Sequence, residues 1–155
     1  MKEDVKWGEY SGKIVSFGKQ KINFFGASLE ASQIEDQSLN RSTFSHTFLE
    51  SADVIDCLFL RCDFYHTDMS FAVWEDCIFH DCSFTGTLMK DLRLVNCEFV
   101  DCQFKAINAR NSEIHDSTFD NCTVQGIFVG AKTKNNEVNN TKIHIIQHPE
   151  ETAFE

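Results

Sequence analysis

The chain has little of the two residues that interrupt regular structure, with one proline and seven glycines among its 155 residues. This scarcity argues against disorder and against a loop-rich fold. No apolar run approaches the roughly 18 residues that a membrane-spanning helix requires. The first residues, MKEDVKWGEYSGK, are too polar for a secretory signal peptide. We therefore expect a soluble, cytoplasmic protein whose thiols are reduced.

Positive charge is also scarce, because 14 Lys and Arg residues stand against 24 Asp and Glu residues, and the formal net charge is −10. Sequence-independent binding to nucleic acid or to anionic lipid depends on Lys and Arg meeting phosphate groups. Neither a nucleic acid nor a membrane is therefore expected as a direct partner.

What the sequence has instead is a repeat of five residues. Every fifth residue from Phe24 to Val124 is apolar, and the residue two positions earlier is mostly small. Inward and outward positions alternate inside each five, as in a β-strand. Because five is an odd number, the next five residues would face the opposite way on a straight strand. The chain must therefore turn a corner after every fifth residue, where Gly, Asp and Asn are frequent.

The types of the apolar residues return every 20 residues. Phenylalanine occupies one file from Phe24 to Phe104 and a second file from Phe59 to Phe119. Four sides per coil keep these files straight, whereas three sides would scatter them. The sequence therefore predicts an all-β fold, a four-sided parallel β-helix (solenoid) of about five coils. At about 4.8 Å per coil, the repeat region would be roughly 25 Å long.

The repeat also sets the expected domain boundaries. Residues 22–126 form the β-helix, and residues 1–21 form an N-terminal cap. After Val124 the frame slips by one residue, so residues 127–148 are expected to form a worn last coil or C-terminal cap. Residues 149–155 are expected to be a disordered tail. Caps are needed because an open solenoid end exposes its core and its unpaired backbone.

All seven cysteines lie in the inward column of small residues. They would stack in straight files, and a straight file cannot surround a metal ion tetrahedrally. A spacing of about 4.8 Å also exceeds the roughly 3.5–4.5 Å between Cβ atoms of a disulfide. We interpret them as small buried residues. The predicted structural core comprises Phe24, Phe44, Phe59, Phe64, Phe79, Phe84, Phe99, Phe104, Phe119, Cys57, Cys62, Cys77, Cys82, Cys97, Cys102 and Cys122.

The sequence offers no sign of an enzyme. It contains no glycine-rich phosphate loop, no H-E-x-x-H and no G-x-S-x-G. His46 and His66 share one corner column, but no paired carboxylates lie in that column to complete a metal site, so we interpret them as solvated. A closed coil packed with phenylalanine should leave no pocket. We therefore expect no catalytic residue, no metal and no cofactor.

The repeats of this chain resemble those of the pentapeptide-repeat protein family, which run small residue, Asp or Asn, Leu or Phe, polar, Gly or polar. The resemblance extends from about Ile22 to Gly126. It implies a right-handed quadrilateral β-helix. Several bacterial members resemble B-DNA in width and charge, and they bind type II topoisomerases and protect them from quinolones or toxins. The C-x-F segments and the charge of −10 are similar to that group.

Apolar residues that point outward on two neighbouring sides of the coil are expected to cluster across the middle coils. They are Ile55, Val73 and Val95 on the third side, and Leu58, Leu60, Ile78 and Val100 on the fourth side. A contiguous apolar patch indicates a protein partner or a homodimer. The alternative is that β-branched residues simply suit strands.

A corner column between these two sides is acidic, with Asp36, Asp56, Asp76 and Asp116. It is either a negative stripe for a basic partner or the result of turn chemistry. On the second side, Glu30, Glu50, Ser70, Lys90 and Arg110 shift from acidic to basic along the axis. The N-terminal coils are therefore expected to be the more acidic surface.

The favoured function is a rigid, non-enzymatic scaffold for protein–protein interaction. Its partner would be another protein, either a basic one or a DNA-binding enzyme. The resemblance implies an alternative, a DNA mimic that binds a type II topoisomerase (DNA gyrase) and protects against quinolones or toxins. Members of that group usually dimerise through a C-terminal helical module, whereas residues 132–155 show no amphipathic helical period. The mimic is therefore ranked second.

Overall fold

The computed structural model describes residues 2–4, 14–15 and 21–146. Regular structure within these residues is β-strand throughout, which confirms the all-β class. The predicted tail at 149–155 and most of the predicted N-terminal cap lie outside the described residues. The strands, in chain order, are β1 Lys2–Asp4, β2 Ile14–Val15, β3 Lys21–Asn23, β4 Gln33–Glu35, β5 Ser38–Asn40, β6 Asp53–Ile55, β7 Leu58–Leu60, β8 Val73–Glu75, β9 Ile78–His80, β10 Arg93–Val95, β11 Glu98–Val100, β12 Gln103–Asn108, β13 Glu113–His115, β14 Thr118–Asp120, β15 Thr123–Ile127, β16 Lys132–Lys134, β17 Glu137–Asn139 and β18 Lys142–Ile145.

The strands stack in parallel on the sides of a square coil. The third side is a seven-stranded sheet in the order β16-β13-β10-β8-β6-β4-β2, and the fourth is a six-stranded sheet in the order β17-β14-β11-β9-β7-β5. The first side includes the sheet β12-β15-β18. The second side is held by single bridges that run from Ser28 through Phe48, Asp68 and Leu88 to Asn108. The four-sided parallel β-helix is confirmed, with about six coils where the repeat predicted about five.

Every corner from Gly26 to Asn121 is made by a residue with positive φ. Asp56 has a φ of 55° and Asp76 a φ of 54°, in the left-handed region that Asp, Asn and Gly tolerate best. Larger residues take the same conformation at other corners, for example Phe71 with a φ of 61°. The corner geometry therefore accounts for the frequent Asp and Asn in the corner columns.

The core is a double file of phenylalanine rings. Phe44 and Phe64 stack with their centroids 4.7 Å apart, and Phe79 and Phe99 stack at the same distance. The two files meet edge to face, as where Phe64 and Phe79 lie 6.1 Å apart at 64°. Eight of the nine predicted core phenylalanines are buried, while Phe119, near the C-terminal end, is partly buried.

One polar atom in this core lacks a partner. The Trp74 side chain is only 1% exposed, and its indole Nε1–H has no hydrogen-bond acceptor among the described residues. Trp74 lies against Phe59 and Phe79, with centroids 5.5 Å away in both cases. Packing Trp74 among the phenylalanine rings therefore leaves one buried donor, its indole N–H, without a hydrogen bond among the described residues.

The last coil continues the helix in a shifted frame. Val54 pairs with Trp74, 20 residues on, whereas Phe119 pairs with Val138 and Val124 with Ile143, 19 residues on. The one-residue slip predicted after Val124 is therefore present in the strand register. The Val138 and Ile143 side chains are nevertheless exposed, so this coil does not close the core within the described residues.

Candidate interaction surfaces

The cysteine thiols lie inside the coil and hydrogen bond to its backbone. All seven are buried and free. Cys77 Sγ donates to the carbonyl oxygen of Val54 at 3.4 Å, and Cys82 Sγ donates to that of Phe59 at 3.3 Å. Thr47 Oγ1 makes the equivalent bond to the Phe24 carbonyl at 2.6 Å. Cysteine and threonine thus hold equivalent positions and serve the same packing purpose.

All seven thiols are buried, so none is accessible as a nucleophile, although hydrogen bonds from Cys122 and Cys82 lower the pKa of Cys102 to about 4. Hydrogen bonds to the neighbouring thiols Cys57 and Cys97, together with burial, raise the pKa of Cys77. Hydrogen bonds to Cys102 and Cys62, together with burial, raise the pKa of Cys82 in the same way. Reactive cysteines need a lowered pKa and access to solvent.

The predicted apolar patch is interrupted by charged residues. Leu58 pairs directly with Ile78, which is 38% exposed. Glu75 separates Ile55 from Val95 in the strand register. The structure therefore brings one apolar pair together on the fourth side. The other apolar residues of the set are half-buried and separated along their files, with His80 between Leu60 and Val100, and Val73 between Asp53 and Arg93.

The acidic corner column is exposed and partly hydrogen bonded to asparagine. Asp36, Asp56, Asp76 and Asp116 all have φ values between 53° and 55°. Asn96 Nδ2 donates to Asp76 Oδ1 at 2.6 Å, which neutralises no charge but satisfies one oxygen. The longest uninterrupted run of carboxylates is therefore Asp36, Asp56 and Asp76.

An exposed aromatic corner was not anticipated from the repeat pattern. Phe25 is 61% exposed and contacts His46 edge-on at 5.3 Å. His46 stacks on His66 at 5.4 Å, and Tyr65 lies edge-on to both. Phe25 and Tyr65 each follow an inward phenylalanine, at a position that is polar in most repeats. An aromatic residue at a position that is usually polar is the sequence signal that indicates this aromatic corner.

No metal site is formed where the structure describes the chain. Residues 21–146 contain no group of three or more His, Cys, Asp or Glu side chains positioned to hold an ion. The stacked His46 and His66 remain a pair. Nor does any described segment form a helix long and apolar enough to cross a bilayer.

The C-terminal end of the coil is an open apolar bowl. Its volume is about 600 Å³, and its lining includes Phe104, Ile107, Phe119, Val138 and Ile143. The expectation that a closed coil leaves no pocket is therefore wrong at this end. The reason is that stacking buries a coil only when another coil or a cap follows it.

Comparison with known proteins agrees with this architecture. The model of the pentapeptide repeat region matches residues 72–147. A search of curated proteins by sequence finds no match. The pentapeptide repeat protein Rfr23 from the cyanobacterium Cyanothece 51142 has a similar structure, with a TM-score of 0.56 and 11% identity. That match covers 71% of this chain and 86% of Rfr23.

Two further structures are less similar. A pentapeptide repeat protein from the Arabidopsis thaliana thylakoid lumen has a TM-score of 0.40 and 18% identity, covering 71% of this chain and 70% of that one. A trypsin-treated form of QnrB1, a plasmid-mediated fluoroquinolone resistance protein, has a TM-score of 0.31 and 11% identity. That match covers 91% of this chain and 87% of the QnrB1 chain. These low scores support no further conclusion. The match and the four-sided β-helix show that residues 72–147 of this chain form a pentapeptide repeat region and that the chain has the fold of pentapeptide repeat proteins.

Proposed function

We propose that this chain is a non-enzymatic scaffold that binds another protein through its third and fourth sides. The observation that carries the proposal is the direct pairing of Leu58 with Ile78 beside the exposed carboxylates of Asp56 and Asp76. Apolar side chains stacked on an open sheet face lose contact with water when a partner covers them.

The backbone under this surface is already ordered, because its strands are hydrogen bonded to the coils next to them. Ile78 N donates to the Cys57 carbonyl at 2.9 Å, and Leu58 N donates to the Gln37 carbonyl at 2.8 Å. A surface that is already ordered loses little conformational entropy on association. Association therefore costs less conformational entropy here than it would on an unordered loop.

The charges around the pair define the complementary partner. Asp56 and Asp76 lie at the corner next to β7 and β9, and both are exposed. An apolar centre with a basic rim on the partner would match this arrangement. Rim charges act mainly on the rate of association, so binding should weaken as salt is added.

The test is the double variant Leu58→Asp with Ile78→Asp, immobilised and compared with the natural chain in capture of partner proteins. We expect capture to be lost while the β-rich circular dichroism spectrum is kept. Tyr65→Asp on the first side is the matched control, since Tyr65 is 41% exposed and lies away from this surface. An unchanged set of captured proteins in the double variant would exclude the third and fourth sides.

A second function, mimicry of DNA in a type II topoisomerase, is favoured by the exposed run of Asp36, Asp56 and Asp76. The run provides one carboxylate per coil, or about one per 4.8 Å. Duplex DNA carries one phosphate per roughly 1.7 Å of its axis. The charge density is lower than that of DNA, and Asn96 interrupts the file, so this function remains second.

A supercoiling assay with purified gyrase distinguishes the two functions. A mimic that occupies the DNA site would inhibit supercoiling at micromolar protein or relieve inhibition by a quinolone. Asp56→Asn with Asp76→Asn should then remove the effect. Unchanged gyrase activity across that range would eliminate the mimic and leave the scaffold.

A further inference from the structure

The second side of the coil carries a charge pattern that reverses along the axis. Single bridges hold one outward file straight, formed by Ser28, Phe48, Asp68, Leu88 and Asn108. The neighbouring outward file is formed by Glu30, Glu50, Ser70, Lys90 and Arg110. Backbone hydrogen bonds fix its spacing, such as those from Ser51 N to the Ser70 carbonyl at 3.0 Å and from Phe71 N to the Lys90 carbonyl at 2.9 Å. One end of this face is therefore acidic and the other basic.

The pattern is complementary to itself after a half-turn. Glu50 lies one coil before Ser70 and Lys90 one coil after it, while Glu30 and Arg110 lie two coils away on either side. In the neighbouring file, Phe48 and Leu88 lie symmetrically about Asp68. Antiparallel packing of two such faces brings carboxylates opposite ammonium and guanidinium groups, as a twofold interface requires.

We propose that the second side is a surface through which two copies of this chain associate with their axes antiparallel. The acidic coils of each copy would face the basic coils of the other, and Phe48 of one would meet Leu88 of the other. The third and fourth sides are not used. The dimer therefore adds to the proposed scaffold function and leaves its binding surface open.

The side chains on this face are available for such a contact. Leu88 is 40% exposed, and Phe71, at the corner of the central coil, is 59% exposed. Lys90 is exposed and forms no salt bridge with the residues that the structure describes. A twofold axis through the central coil places the Phe71 side chains of both copies at the same edge of the interface.

The acidic end gains from a facing cation. Burial, repulsion from Asp68, a hydrogen bond to Asp68 and repulsion from Glu30 raise the pKa of Glu50. The charged form of Glu50 is therefore disfavoured in the single chain. Lys90 of a second copy would lie beside Glu50 and Asp68 and relieve this repulsion. Asp68 lies at the centre of the face. It is therefore the one carboxylate that would also face the same residue, Asp68, of the second copy.

The size of the face predicts weak association. Five coils and three residues of width give roughly 24 Å by 10 Å. A stable complex buries about 800 Å² on each partner. The proposed dimer should therefore form at high micromolar concentration, and added salt should dissociate it.

The test is sedimentation equilibrium of the natural chain and two charge-reversal variants, Glu50→Lys and Lys90→Glu. We expect the natural chain to show a concentration-dependent dimer at low salt. Each variant alone should raise the dimer dissociation constant by about tenfold or more, because like charges then face each other. Mixing the two variants should restore association, because each then supplies the charge that the other lacks. Lys105→Glu, on the first side, is the control for Lys90→Glu, since it makes the same change of net charge.

Several outcomes would overturn the proposal. They are a natural chain that stays monomeric up to about millimolar concentration, a dimer that neither variant weakens, and a mixture that associates no better than its components. Circular dichroism checks that both variants fold, and Lys90→Gln replaces Lys90→Glu if the latter does not. Loss of the dimer in Leu58→Asp with Ile78→Asp would place self-association on the third and fourth sides instead. Failure of partner capture with an intact dimer would count against the scaffold function alone.

Discussion

The rings of Phe64 and Phe84 lie parallel, with their centroids 4.7 Å apart and 3° between their planes. The two residues are 20 apart in sequence and occupy the same place in successive coils. Phe44 stacks on the other face of Phe64 at the same distance. Phe44, Phe64 and Phe84 are therefore each covered on both faces by a neighbouring ring, and the file fills the middle coils continuously.

Phe64→Ala should lower the free energy of unfolding by about 3–5 kcal/mol, the usual cost of removing a buried phenylalanine. Collapse of the gap is opposed by the backbone bonds between coils, which hold the neighbouring rings at their spacing. Urea denaturation followed by circular dichroism measures the loss. Phe25→Ala, at a position 61% exposed, is the control and should change stability by less than about 1 kcal/mol. Equal losses in the two variants would contradict the stacked core.

Trp74→Phe should change stability much less than Trp74→Ala. The phenylalanine removes an indole N–H whose burial without a partner costs about 1–3 kcal/mol, and this gain offsets part of the lost packing. Trp74→Ala should cost about 3–5 kcal/mol because nothing fills the space. Urea titrations of the three proteins compare them. A loss of about 3–5 kcal/mol in Trp74→Phe as well would mean that the indole N–H has a hydrogen-bond acceptor in solution, because a lost hydrogen bond would then add to the lost packing.

The seven thiols should resist modification in the folded protein. Ellman's reagent at about pH 8, near the ordinary thiol pKa, should react with few of them until the chain unfolds, because all seven are buried. All seven should react in denaturant. A Lys105→Cys variant supplies an exposed thiol that should react at once. Fast labelling of the natural chain would show that the cysteine files are open to solvent.

Glu50→Gln should stabilise the folded chain at neutral pH and have little effect in acid. Burial and the carboxylates of Asp68 and Glu30 raise the pKa of Glu50 above its ordinary value of 4.5. A raised pKa means that the ionised form opposes folding, so the penalty is present above the folded pKa and disappears below 4.5. Melting temperatures at about pH 7 and about pH 3.5 measure the difference. Protein concentrations below those that support association keep the dimer out of the measurement.

The matched control for this experiment is Glu137→Gln in the exposed last coil. Its effect on the melting temperature should be small at both pH values. A Glu50→Gln variant that is less stable than the natural chain at neutral pH would mean that the carboxylate is stabilised by a cation.

The coil and its corners were predictable because the five-residue rule is local. Each quintet decides its own inward residues, and the corner residue, such as Asp56, needs only a positive φ. The strand register then pairs equivalent residues of successive coils, since Leu58 pairs with Ile78 and Ile78 pairs with Glu98. Position in the chain therefore maps directly onto position in space, which is why the frame slip after Val124 was also visible beforehand.

The surfaces were less predictable because exposure depends on neighbours in other coils. Outward apolar residues were expected to form one cluster, but register places Glu75 between Ile55 and Val95. The aromatic corner around His46 and Tyr65 depends on contacts between coils that no single quintet specifies.

The order of small, polar and large residues was thus enough to establish the β-helix, its four sides and the burial of its cysteines, because inward and outward positions alternate within each quintet. The folded chain was needed to show which outward side chains meet, and that the C-terminal bowl beside Phe119 and Ile143 stays open among the described residues. Both depend on stacking between coils, and the described stack ends with β16, β17 and β18, so that one face of this coil is uncovered among the described residues.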